Sequence, residues 1–200
     1  MKEGNPKAIY LKDYKKPDYT ISEVLLRFEL FEEKTVVHAR LHISANAGVP
    51  AETPLVLHGE QLKLIEVRLN DLPLANTDYH QTAESLQINH VPQNFILDTR
   101  VEIDPANNTA LEGLYLSSGN YCTQCEAEGF RKITYYLDRP DVMAVFTVRI
   151  EADKKHFPAL LSNGNRLSEG KLDNDRHYVE WQDPFPKPSY LFALVAGDFA

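Results

Sequence analysis

Apolar and polar positions alternate along much of the chain. In residues 23–30 (EVLLRFEL), Val24, Leu26, Phe28 and Leu30 fall on one face while Arg27 and Glu29 fall on the other, and residues 36–44 repeat the pattern after Glu32, Glu33 and Lys34. A period of two is the mark of a β-strand with one dry face, and two such runs joined by a short charged loop predict a hairpin. Further strands are expected at residues 62–69, 85–88, 94–103, 144–151, 176–181 and 190–196. Turn chemistry separates them: Asn70-Asp71, Pro92-Gln93, Pro105 to Asn108, Ser162 to Asn165, and Asp173 to Asp175. Many short strands at this spacing predict an all-β, mainly antiparallel fold, built as a saddle-like curved sheet or a β-sandwich. Short helical segments are expected only at residues 108–114 and within 130–137. No repeat, low-complexity tract or linker divides the 200 residues, so a single domain spanning 1–200 is expected.

Composition narrows the function classes. A hydrophobic fraction of 43% suffices for an ordinary core. The formal charge of −8 opposes a nucleic-acid or anionic-membrane surface, both of which need clustered Lys and Arg. The basic run at residues 12–16 is short, carries Asp13, and reads as a solvated N-terminal segment. The first residues show no apolar stretch of a secretion signal, and no run approaches the roughly 18 apolar residues of a membrane span. A cytoplasmic location is therefore expected. Two cysteines are too few for a disulfide framework, in keeping with a reducing compartment.

His38 and His42 (HARLH) resemble a zinc-ligand pair only on a helix; on a strand, four residues span about 13 Å, while each ligand of one zinc must lie about 2 Å from it. They are expected to face solvent. His58, His80, His90, His156 and His177 stand singly and are expected at the surface or satisfied by hydrogen bonds. Cys122 and Cys125 (C-T-Q-C) lack the second cysteine or histidine pair of a zinc ribbon and the βαβ setting of a redox pair, so buried or half-buried free thiols are expected. There is no G-x-S-x-G, phosphate loop or H-E-x-x-H. What stands out is the polar and aromatic density of residues 107–141, read as a long irregular segment. Such segments are disproportionately functional. Within it, Glu126 or Glu128 is placed to present a carboxylate to a cationic ligand.

Four blocks of this chain have a familiar form. ANNTALEGLY (Ala106 to Tyr115), CTQCEAEGFR followed by ITYYLDRPDV, LLSNGN (Leu160 to Asn165) and WQDPFPKPSYLFALVAGDF (Trp181 to Phe199) closely resemble the N-terminal domain of the bacterial aminopeptidase N family, the zinc alanyl aminopeptidases. The resemblance implies a saddle-shaped β domain preceding a thermolysin-like catalytic domain, whose G-A-M-E-N and H-E-x-x-H motifs do not occur here. It implies that Glu126 binds the free α-amine of a peptide substrate and that Gln124 lines the pocket for the first side chain. It also implies zinc in the full-length enzyme and none on this chain, with no catalytic or metal-ligating residue in these 200 positions. The expected partners are peptides with a free N-terminus and the enzyme's own catalytic domain. Apolar surface near Tyr135, Tyr136 and the final strand, normally covered by that domain, would make the isolated chain self-associate. The apolar ending LFALVAGDFA favours this reading over a stand-alone β-sandwich binding module.

Overall fold

The structure is a computed structural model that describes residues 10–199; the opening residues 1–9, on which the expected lack of a secretion signal partly rests, and Ala200 lie outside the described residues. Among the described residues, fifteen strands make up three sheets. In chain order they are β1 (Tyr19–Leu30), β2 (Thr35–Ala45), β3 (Leu55–His58), β4 (Lys63–Leu69), β5 (Leu72–Pro73), β6 (Tyr79–Gln81), β7 (Ser85–Ile88), β8 (Asn94–Ile103), β9 (Gly113–Ser117), β10 (Asn120–Gln124), β11 (Met143–Asp153), β12 (Ala159–Ser162), β13 (Asn165–Lys171), β14 (Arg176–Pro188) and β15 (Leu194–Gly197). An eight-stranded sheet runs β13-β14-β11-β1-β2-β8-β4-β5, with smaller sheets β12-β15-β10-β9 and β3-β7-β6. Every pairing is antiparallel except β1 with β11. The all-β, mainly antiparallel expectation holds.

The alternation seen in the sequence sets the layers. Val24, Leu26, Phe28 and Leu30 of β1 are at most 3% exposed, as are Ala144, Phe146, Val148 and Ile150 of β11 beside it. This inner face packs on Phe192 and the smaller sheets: Phe28 stacks on Phe192 at 5.9 Å, and Phe130 meets Phe146 and Phe192 edge-on at 5.9 and 5.3 Å. Aromatic pairs in these orientations add about 0.5–1.5 kcal/mol beyond area burial. The outer face carries Arg27, Glu29, His38, Arg40, Asp98, Arg100 and Arg149. Pro184, Pro186 and Pro188 are tolerated in β14 because its pairing with β13 reaches only to Gln182, opposite Asn165, leaving that end of β14 paired on one side only.

Four expectations need correction. Residues 108–114 form no helix: a 3-10 turn at Pro105–Asn107 precedes them, and β9 begins at Gly113. The segment 107–141 is not irregular throughout, because β9 and β10 form a hairpin in register from Ser117↔Asn120 to Gly113↔Gln124. Only the turn Phe130–Lys132 gives the second expected helical piece, and it is a 3-10 turn. Finally, Tyr135 and Tyr136 are not exposed; at 1% and 0% they belong to the core, and Tyr136 bridges to His58.

Candidate functional site

The β9–β10 hairpin delivers a tight loop. β10 ends at Gln124; Cys125, Glu126, Ala127, Glu128 and Gly129 follow, and Phe130 opens the 3-10 turn. The loop is closed by the Gly129 amide, which donates to the Cys125 carbonyl at 2.9 Å. Both ends are anchored inside, since Cys125 is 3% exposed and Phe130 is 0% exposed, edge-on to Tyr136 at 4.9 Å. Gly129 is required by close approach: a Cβ there would stand 2.4 Å from the Gln124 carbonyl oxygen and 2.9 Å from the Gly113 nitrogen. Between these anchors Glu126, Ala127 and Glu128 are exposed, as is Gln124 just before them. Gln124 Nε2 donates to the Glu126 carbonyl at 3.2 Å, and the Glu126–Ala127 peptide is cis.

The two glutamates left open by the sequence differ in their partners. Glu128 Oε2 lies 3.4 Å from Arg131 Nη1, whose guanidinium also reaches Asp138 Oδ2 through Nε at 3.1 Å. Asp138 is 3% exposed, accepts the Arg131 backbone N–H at 3.1 Å and takes a 2.6 Å hydrogen bond from Ser189 Oγ. The loop is thus bolted to the core through Arg131, and Glu128 belongs to that bolt. The Glu126 carboxylate makes no ion pair or hydrogen bond among the described residues. A carboxylate held out on a loop anchored at both ends, without an internal partner, is free to accept from an external cation. In open water such a contact is worth little, so a second surface must close over it before the grip becomes strong.

The remaining candidates fall where chain chemistry predicts. His38 and His42 lie on the outer face of β2, His38 Nε2 2.7 Å from Glu29 and His42 Nδ1 3.7 Å from Glu23, and they do not converge on one point. Cys122 and Cys125 are free thiols, half-buried and buried, and burial pushes the Cys125 thiol far up. His58 accepts the Asp138 N–H at Nδ1, and His177 Nε2 lies 2.8 Å from the Phe157 carbonyl. No group of three or more His, Cys, Asp or Glu among the described residues is placed to hold a metal ion. Sequence reasoning missed Arg131 and Asp138 as the supports of the loop; R and D seven apart across a turn carry no pattern that separates them from surface charges.

Residues 12–191 match the family model described as the Peptidase M1 N-terminal domain. The chain is 55% identical over 194 residues to an aminopeptidase N of Escherichia coli and 53% identical over 198 residues to one of Caulobacter vibrioides. These alignments take in 97% and 99% of this chain but only 22% and 23% of the relatives, so the chain spans about a fifth of their length. Among solved structures, the aminopeptidase A of Legionella pneumophila in complex with aspartic acid superposes with a TM-score of 0.89 at 38% identity, over 94% of this chain and 22% of that one. An M1 zinc metallopeptidase of Deinococcus radiodurans gives a TM-score of 0.76 at 17% identity over 90% of this chain and 42% of that one, a likeness of fold alone.

Proposed function

The chain belongs to the peptidase M1 N-terminal domain family, and from that premise we propose that it forms the amine-gripping wall of a zinc aminopeptidase's active site. In this reading residues 1–200 are the N-terminal β domain of a longer enzyme that removes N-terminal residues from peptides. Zinc belongs to a catalytic domain of that enzyme, where it supplies an activated water for peptide hydrolysis. This chain's residues do the recognition. Glu126 accepts the hydrogen bonds of the substrate's terminal ammonium, and Gln124, tied to the Glu126 carbonyl, lines the pocket for the first side chain. The observation that carries the reading is the contrast between two neighbours: the Glu128 carboxylate is held by Arg131, whereas the Glu126 carboxylate is exposed and unpaired on the same pinned loop. The acidic composition and free thiols favour a cytoplasmic enzyme, and no helix of the described residues is long and apolar enough to cross a membrane.

The test is a chimera in which this chain replaces the matching segment of the Escherichia coli relative. The chain alone should bind no stoichiometric zinc and leave aminoacyl-anilides uncut, while the chimera should cut them. Truncating one partner of a desolvated charge pair costs about 2–5 kcal/mol. Since each 1.36 kcal/mol is tenfold in rate, Glu126→Ala should lower the chimera's kcat/KM by roughly thirty-fold to several-thousand-fold at unchanged zinc content. Glu128→Ala should matter less. An active chimera whose Glu126→Ala variant keeps near-normal kcat/KM, while Glu128→Ala loses it, would assign the grip to the wrong glutamate.

A further inference from the structure

On the outer face of the eight-stranded sheet, turned away from the Glu126 loop, a groove of about 370 Å³ opens over β1, β2, β8 and β11. Its lining holds five arginines against four carboxylates, in a protein whose formal charge is −8. The register explains the concentration. One row of paired positions crosses the sheet as Glu180, Arg149, Arg27, His38, Arg100 and Glu66. Like charges directly opposite one another repel, so such a row needs compensation from its neighbours.

Most of the row receives it. Arg149 and Arg27 share Glu151 at 2.6 and 3.0 Å, and Arg27 and His38 share Glu29 at 3.2 and 2.7 Å. In the adjacent row Arg40 is held by Asp98 at 2.7 Å and also by Asp71. Arg100 differs from all of these. It makes no hydrogen bond or ion pair among the described residues, and its Nε is buried without a partner. Glu66, directly across from it, turns instead to Arg68 at 3.6 Å. Nearby acid is also committed, because Glu102 is taken by Lys34 and Lys63, each at 2.9 Å. The groove is therefore left with one guanidinium whose charge and donors are unused, beside a weakly paired second one.

We propose that Arg100, assisted by Arg68, binds a small oxyanion in this groove: a carboxylate or a phosphate. A guanidinium is a planar fork of donors that matches two oxygens of either group, and it is weakly hydrated enough to work part-buried. Glu66 is the competitor for the same two cations, so removing its charge strengthens the site.

Calorimetric titration of the chain at low ionic strength with inorganic phosphate and, separately, with succinate tests this. Saturable one-to-one binding is expected, and which probe binds tells a phosphate source from a carboxylate source. Arg100→Met should weaken it by about tenfold or more, the usual loss for a hydrogen bond to a charged group. Glu66→Gln should tighten it. If Arg100→Met does not fold, Arg68→Met and Glu66→Gln carry the test, and they must move the affinity in opposite directions. Absence of saturable binding by both probes overturns the proposal. So does equal binding by a folded Arg100→Met, or a Glu66→Gln variant that leaves affinity unchanged or weakens it.

Discussion

At the scale of single residues, neighbours of the same chemical type are separated by their partners. The sequence narrows the candidate amine anchor to Glu126 or Glu128 because both carboxylates stand in one loop; it cannot tell them apart, since the distinction lies with Arg131 and the buried Asp138 beyond it. Histidines show the same dependence on surroundings. Burial, with the Arg131 cation second, lowers His58 below its ordinary 6.5, and its Nδ1 must stay unprotonated to accept from the Asp138 amide. Burial likewise lowers His177. For both, the unfolded chain binds the proton more readily than the folded one. Stability from these groups is therefore fully present above about pH 6.5 and is lost as pH falls through their lowered folded values. Asp141 and Asp153, held below their usual 3.8, contribute losses only further down the acid range. Denaturant unfolding should show lower stability at about pH 5.5 than at about pH 7.5. His58→Asn combined with His177→Gln should flatten that slope; an unchanged slope in the folded double variant would show that other groups set it.

At the scale of elements, strands were legible where one face is dry and the other wet. β7 and β8 fall on the expected residues, and β1, β2 and β11 extend theirs at one or both ends, because alternation records a half-buried sheet directly. β9 and β10 are not legible, since each has only five residues, Leu116 of β9 is exposed on the same face as the buried Leu114, and NYCTQ places polar residues on both faces. The signal that was available is their two-residue turn: Ser118 at φ 50° and Gly119 at φ 82° form a hairpin connection of the left-handed kind, which Ser-Gly chemistry favours. The same geometry at Asn70 (49°) and Asp71 (66°) makes the turn expected from Asn-Asp chemistry, joining β4 to β5. Gly129 shows what the loop demands of its element. Its φ of −81° suits any residue, but a Cβ would collide with backbone on two sides, the Gln124 carbonyl and the Gly113 amide, and neither can swing away as a side chain would. Gly129→Ala should cost about 1–3 kcal/mol, the usual penalty of overpacking. An added Cβ at Gly119 meets nothing within 4 Å, so Gly119→Ala bears only the left-handed backbone cost of about 1–2 kcal/mol. Chemical denaturation of both variants checks the mechanism: only Gly129→Ala should also move the amide resonances of Gln124 and Glu126.

At the scale of the whole molecule, the layered core accounts for the buried aromatics but leaves a separate apolar surface. Tyr135 and Tyr136, whose pairing in the sequence suggests an exposed sticky patch, instead fill the core, Tyr136 against Phe130 and Phe146. Exposed apolar side chains gather where the chain leaves β14. Phe185 is 76% exposed and Leu191 is 50% exposed, Met143 at 51% lies across the sheet from Pro188 between them, and the Leu191 carbonyl accepts from Asn163 just past β12, whose Leu161 is 45% exposed. Scattered exposed leucines need no explanation, but a gathering of large apolar side chains marks a surface made to be covered. If a further domain covers it in a longer enzyme, the isolated chain should cover it with a second copy. Sedimentation velocity over a rising concentration series should then show reversible self-association, and the double variant Phe185→Ser, Leu191→Ser should shift the chain toward monomer without loss of folding, because both side chains stand largely in water. In the chimera with the Escherichia coli catalytic segment the same surface should be buried, and the association should disappear. A chain that stays monomeric at high concentration, or a double variant that associates as strongly as the parent, would show that this surface is tolerated in water and is not an interface.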